Sequence, residues 1–175
     1  MEVPGALAPF YEGWKSHNGR LINLLSDLTD EQVKLRPAPH QMAVWQLVSH
    51  LAGARGYWFG FLGEGQEIRD YFRVEHSTTP DLPLEDAGWE DDEDHPRTVA
   101  ELTGALRRTW AMIEECLNRW SAEELLAEDF TRGPTGTFKF SRAWVIWRLM
   151  EHDIHHSGEV SNILGSAGIP TRLNI

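Results

Sequence analysis

The chain has one cysteine, Cys116, so no intramolecular disulfide and no cysteine-built zinc cluster can form. Such usage fits a reducing, intracellular setting. No run of about 18 apolar residues occurs, which argues against a helical membrane span. Met1-Glu2-Val3-Pro4-Gly5 lacks a basic stretch followed by an apolar one, so no secretion signal is expected and the expected location is cytoplasmic. Basic residues are scarce: 16 Lys and Arg stand against 27 Asp and Glu, a formal net charge of −11. That balance speaks against nucleic acid or an anionic membrane as partner, and it attracts cations. A Gly-rich phosphate loop, a Gly-x-Ser-x-Gly elbow and the Glu-x-x-His pairs of a ferritin-like di-iron site are all missing.

What is present reads as helix. At 175 residues the chain is long enough for one domain, expected over 1–175. Apolar residues at helical spacing run from about Ala6 to Leu28, Met42 to Leu62, Thr98 to Trp120 and Ser141 to Leu164. Thr98 with Glu101 forms a capping-box pattern, Ser141 is an expected N-cap, and Gly63, Gly65, Gly165 and Gly168 are stop signals. A helical turn is expected around Gln66–Val74, then an irregular acidic loop over about 75–97 whose run Glu90-Asp91-Asp92-Glu93-Asp94 reads as solvated. Thr135–Phe140 is the only stretch expected to pair as strand, and briefly. Four long amphipathic helices imply an all-α four-helix bundle. The segment after the first helix, Leu28-Thr29-Asp30-Glu31-Gln32, is echoed after the third by Trp120-Ser121-Ala122-Glu123-Glu124.

The histidines carry the chemistry. Residues four apart on a helix differ by about 40° in azimuth and about 6 Å in rise, so His152 and His156 project from one face. Val145, Leu149, Val160 and Ile163 lie towards the same side, which places the pair in the apolar stripe. His50 shares its face with Ala43, Leu47, Ala54, Tyr57 and Phe61, again inward, with small neighbours that leave room beside the ring. A core histidine bonded to a backbone carbonyl is the ordinary alternative for any one of them. Together they suit one divalent cation with a fourth position open, the arrangement of a catalytic site. His155 falls on the rim and is a substitute ligand for His156. Glu159 is a candidate acceptor for a ligand ring, and Tyr57 a candidate substrate contact. Cys116 reads as a small buried hydrophobe.

On these residues the chain resembles the DinB-like (YfiT-like) superfamily of metal-dependent four-helix-bundle proteins. The matching pieces are Leu28-Thr29-Asp30-Glu31, Arg36-Pro37-Ala38, Val44-Trp45-Gln46-Leu47-Val48-Ser49-His50-Leu51 and His152-x-x-x-His156-Ser157-Gly158-Glu159-Val160. The resemblance implies an up-down-down-up order, a homodimer, and a divalent metal on one histidine of the second helix and two of the last, which map onto His50, His152 and His156. It also implies, for several members, transfer of a low-molecular-weight thiol to an electrophilic substrate. Ser157 and Glu159 stand where members often carry Arg and Gln.

Three functions follow as expectations. The leading one is a metal-dependent enzyme of the thiol S-transferase kind, using Zn²⁺ or Ni²⁺, with Fe²⁺ and Co²⁺ also compatible with the ligands. The second is a metal-dependent hydrolase or isomerase that activates water instead. The third is a non-catalytic, dimeric metal- or ligand-binding stress protein. Trp147, Met150 and Ile154 form a second apolar stripe on the last helix, to be buried by a neighbouring helix or by a second subunit.

Overall fold

A computed structural model describes residues 8–74, 88–132 and 138–171. Ala6 at the expected helix start, Pro80 and Pro83 of the acidic loop, and Thr135 lie outside the described residues. The chain is mostly helical. Its long helices are α1 (Ala8–Ser26), α2 (Val44–Phe61), α4 (Val99–Arg119) and α6 (Arg142–Ser166), with short α3 (Gln66–Tyr71) and α5 (Ala122–Leu126) between them. Strands β1 (Phe130–Arg132) and β2 (Phe138–Phe140) pair antiparallel, Phe130 opposite Phe140.

Local chemistry sets these boundaries. Thr98 accepts a hydrogen bond from the Glu101 N–H while the Glu101 carboxylate accepts from the Thr98 N–H at 2.8 Å, closing a capping box at the start of α4. Ser121 and Glu124 do the same for α5. The echoed segment shows a related exchange, Thr29 N–H to Gln32 Oε1 at 2.8 Å and Gln32 N–H to Thr29 Oγ1 at 3.2 Å, ahead of a single 3₁₀ turn. Ser141 caps α6. Gly63 and Gly65 beyond α2, and Gly168 beyond α6, adopt positive φ and end their helices without a side-chain penalty. α6 runs through Gly165 to Ser166.

α2 is covered on most of its circumference, by α4, by α6 and by the segment around Trp89. That explains why it reads apolar on more than one face. The ring of Trp58 meets Trp144, whereas His50 meets His152 and His156, so α2 and α6 run antiparallel. Phe10, at helical spacing from Trp14, is 62% exposed, one turn before the first buried residue of that helix, Trp14 itself.

The apolar interior falls into two clusters. One gathers Leu21, Leu25, Val48, Leu51, Leu106 and Leu164; the other gathers Trp14, Phe59, Ile113, Phe140, Val145 and Leu149. Each fully buried Leu, Ile or Phe contributes about 1.5–3 kcal/mol. Between the clusters every long helix places polar groups: Asn18 on α1, Arg55 on α2, Thr109 on α4, and Asp153 on α6. The candidate site lies at this level.

Candidate metal centre

Helix α2 brings His50 against α6, where His152 and His156 lie one turn apart. The His50 and His152 Nε2 atoms are 3.0 Å apart, and one ring nitrogen from each of the three residues falls within 4.8 Å of the others. His50 Nδ1 stands 2.8 Å from the Glu90 carbonyl. A carbonyl only accepts, so Nδ1 carries the proton and His50 Nε2 keeps its lone pair. His156 Nδ1 likewise donates to the Glu159 carboxylate at 2.5 Å, which leaves its Nε2 bare. Two rings are thus held in the tautomer that presents Nε2 to the cluster, by acceptors of the kind that orient metal-ligating imidazoles.

Electrostatics points the same way. Burial, followed by the neighbouring His50 and His156 rings, pushes the His152 pKa from the ordinary 6.5 down to about 3. Burial lowers that of His156 too, against the raising effect of Glu159. At neutral pH both rings are neutral, the state in which imidazole is a ligand. His152 Nδ1 is buried with no hydrogen-bond partner among the described residues. Protein groups alone therefore leave this cluster unsatisfied. Three imidazoles with ring nitrogens this close together could hold a divalent metal ion.

The acidic run corrects one expectation. Residues 88–93 do not form a solvated loop but lie along α2. Gln46 donates to the Glu93 carbonyl at 2.9 Å, and one turn on His50 donates to that of Glu90. Three residues further on, Gly53 leaves space that Glu90 occupies. The Glu90 side chain is 10% exposed and pairs with Arg69. Burial raises its carboxyl above the usual range, although Arg69 works against that shift. Burial would raise the Asp92 carboxyl as well, but hydrogen bonds from His95, Arg97 and the Asp94 N–H hold it below its ordinary value. Trp89 packs on Phe72, and Arg97 lies over its ring at 4.2 Å. Glu93 and Asp94 remain exposed. Alternating burial in a run of carboxylates has no signature in composition, so the role of Glu90 was not readable from sequence.

A second polar assembly was also missed. Arg55 and Asp153 are both fully buried, joined at 2.6 Å. Trp14 donates to Asp153 at 2.6 Å, and Arg55 donates to Asn18 at 2.9 Å and Thr109 at 3.3 Å. The signal available was an arginine within Gly53-Ala54-Arg55-Gly56, on a helix too apolar to leave it in water.

The remaining candidates separate. His155 is exposed, with Nε2 3.9 Å from Glu159. Tyr57 is half-buried two turns from His50, with Arg69 over its ring at 5.1 Å. Burial pushes the Cys116 thiol up to about 11, so it is not a nucleophile at neutral pH. Of the second stripe of α6, Met150 is half-buried and packs against the core, whereas Trp147 and Ile154 are 60% and 58% exposed, so neighbouring helices cover only part of it. No described helix is long and apolar enough to cross a membrane.

Comparison with known proteins agrees with this architecture. A crystal structure of a DinB-like protein from Bacillus cereus ATCC 10987 superposes with a TM-score of 0.64 at 18% identity, covering 93% of each chain. A conserved protein from Enterococcus faecalis does so with a TM-score of 0.66 at 15% identity, over 94% of this chain and 99% of that one. At such identities the likeness speaks to the fold. No curated protein matches in sequence. The family profile of the DinB superfamily matches residues 14–160, and the chain belongs to that superfamily.

Proposed function

We propose that His50, His152 and His156 hold one divalent metal ion, Zn²⁺ or Ni²⁺, and that the protein is a metal-dependent enzyme of the thiol S-transferase kind. The observation that carries the metal reading is the pair of oriented ring nitrogens, His50 Nε2 and His156 Nε2, gathered beside buried His152, whose Nδ1 has no hydrogen-bond partner among the described residues. Three protein ligands leave a position for substrate. Membership of the superfamily supports the same reading, as does the resemblance to members that transfer thiols. The four long helices are read as a bundle in up-down-down-up order.

A divalent ion supplies a Lewis acid that keeps a bound low-molecular-weight thiol as thiolate at neutral pH. The protein's own part is orientation. Glu90, through its carbonyl, and Glu159, through its carboxylate, hold two imidazoles in the ligating tautomer. In the transfer the thiol proton leaves to solvent and sulfur bonds to the electrophilic carbon, whose leaving group departs with the bonding pair.

Elemental analysis of untagged protein tests the first step: about one divalent ion per chain is expected, and none after loading with zinc and nickel would overturn it. Conjugation assays with bacillithiol, mycothiol and glutathione against several electrophiles test the second. Turnover with fully loaded protein only in the absence of thiol would favour a hydrolase or isomerase.

A homodimer is part of this reading. The exposed ridge of Trp147 and Ile154 adjoins an apolar groove of about 550 Å³ between α1 and α6, lined by Phe10, Trp14 and Met150 among others. A ridge beside a groove on one surface is self-complementary about a two-fold axis. Sedimentation at equilibrium is expected to give a dimer, and Trp147→Lys with Ile154→Glu a monomer.

A further inference from the structure

We propose that Glu90 is a positioning residue for the metal centre: its side chain, seated in the gap left by Gly53 and Gly88 and paired with Arg69, fixes the turn whose carbonyl holds His50 in the ligating tautomer. The inference rests on the metal reading above and adds to it a group from outside the histidine helices.

The turn at Trp89–Asp91 is a single turn of 3₁₀ helix with no side-chain cap. Its own hydrogen bonds do not determine where the Glu90 carbonyl sits. On either side of Glu90 the segment is tied down by the Trp89 N–H, which donates to the Phe72 carbonyl at 3.0 Å, and by Gln46, which donates to the Glu93 carbonyl at 2.9 Å. Glu90 itself is anchored by its side chain. Glu90 Oε1 accepts from Arg69 at 2.5 Å, and both side chains are largely buried, at 10% and 14% exposure. Glu90 Oε2 is buried without a hydrogen-bond partner among the described residues, between two glycines. A Cβ at Gly53 would stand 2.4 Å from both Glu90 N and Glu90 Oε2; one at Gly88 would stand 2.3 Å from Oε2. Real Cβ atoms do not approach that closely, so any side chain at Gly53 must displace the backbone of the turn. The absence of side chains at two positions, the buried ion pair and the carbonyl contact form one continuous path from Arg69 to His50 Nδ1.

His50 alone among the three histidines receives its orienting contact from a separate segment. His156 takes its acceptor from its own helix, three residues on, where helix geometry supplies the spacing. The 88–91 turn has no such helical spacing; the Trp89 N–H ties it to Phe72, and the ion pair with Arg69 fixes Glu90 within it. Moving the turn frees Nδ1, and the proton then partitions between the two ring nitrogens.

The test uses Gly53→Ala and Glu90→Ala, with Glu90→Gln as the conservative change and Gly104→Ala, where a Cβ meets nothing within 4 Å, as control. Two quantities are measured on each protein. One is zinc affinity by competition with a chelating dye. The other is the tautomer of His50 in metal-free protein, from the long-range proton–nitrogen NMR spectrum of its imidazole. Gly53→Ala and Glu90→Ala are expected to bind zinc about 10- to 100-fold more weakly and to lose the single Nδ1–H signature. Glu90→Gln, which keeps an acceptor for Arg69, should retain most of both, and Gly104→Ala all of both. Should Gly53→Ala not fold, Glu90→Ala decides alone. Parent-like affinity in the two alanine variants overturns the proposal, as does weaker binding with the His50 tautomer unchanged. A parent that binds no zinc would overturn the metal reading itself, and the proposal with it.

Discussion

Two polar assemblies share one level of the molecule, and they are built in opposite ways. Around Arg55 and Asp153 the groups come from all four long helices, and the guanidinium and carboxylate find their partners within the protein. Around His50, His152 and His156 the rings turn nitrogen towards nitrogen, and one buried Nδ1 has no partner among the described residues. The first assembly is complete among the described residues; the second leaves a ring nitrogen without a partner there. Asp153 follows His152 in sequence and Arg55 lies five residues beyond His50, so the ion pair also fixes the register in which α2 and α6 bring the histidines together. A charged pair that joins helices and a histidine cluster proposed to hold a metal ion are thus neighbours.

The largest effect should come from breaking the complete assembly. Asp153→Ala leaves the Arg55 guanidinium buried without its counter-charge, which costs about 3–5 kcal/mol. Urea denaturation is expected to show that loss in metal-free protein, and Arg55→Met combined with Asp153→Leu to recover much of it. A loss below about 1 kcal/mol would mean that Arg55 and Asp153 do not anchor the helices.

The unsatisfied cluster should respond in the reverse sense. His152→Leu removes a desolvated polar ring and replaces it with an apolar side chain of similar size. Metal-free stability should therefore change little or rise, while the thermal shift with zinc disappears. In the parent, free zinc at 100 times its dissociation constant adds about 2.7 kcal/mol. Calorimetry with and without zinc on both proteins checks the contrast. An equal zinc shift in the variant would remove His152 from the site.

Much of this contrast was legible beforehand, but unevenly. The spacing of His152 and His156 and the small residues flanking His50 are local facts, and the helices that carry them follow from periodicity and caps such as Thr98 and Ser141. The ion pair and Glu90 depend on tertiary placement. Arg55 and Asp153 meet only because α2 and α6 run antiparallel in one register, 98 residues apart in sequence. Glu90 is buried and Glu93 exposed because of where one 3₁₀ turn lies along α2, and no periodicity records that. The second stripe of α6 was legible as a stripe, whereas its exposure required the packed structure.

The smallest effect, and the one that separates the two assemblies without removing either, is the pH dependence of metal-free stability. His152 is held neutral in the folded chain down to about pH 3, while in the unfolded chain it takes up a proton near the ordinary 6.5. Between those values the unfolded state binds more protons, so stability rises with pH there. The contribution is full above pH 6.5 and is lost progressively as pH falls towards 3. His156, lowered in the same direction, adds to the slope. Denaturation midpoints taken between pH 7 and pH 5 should therefore fall in the parent and fall less in His152→Leu. Identical slopes in the two proteins would show that His152 is not kept neutral by the fold. The histidine cluster would then have lost the desolvation that distinguishes it from an ordinary surface group.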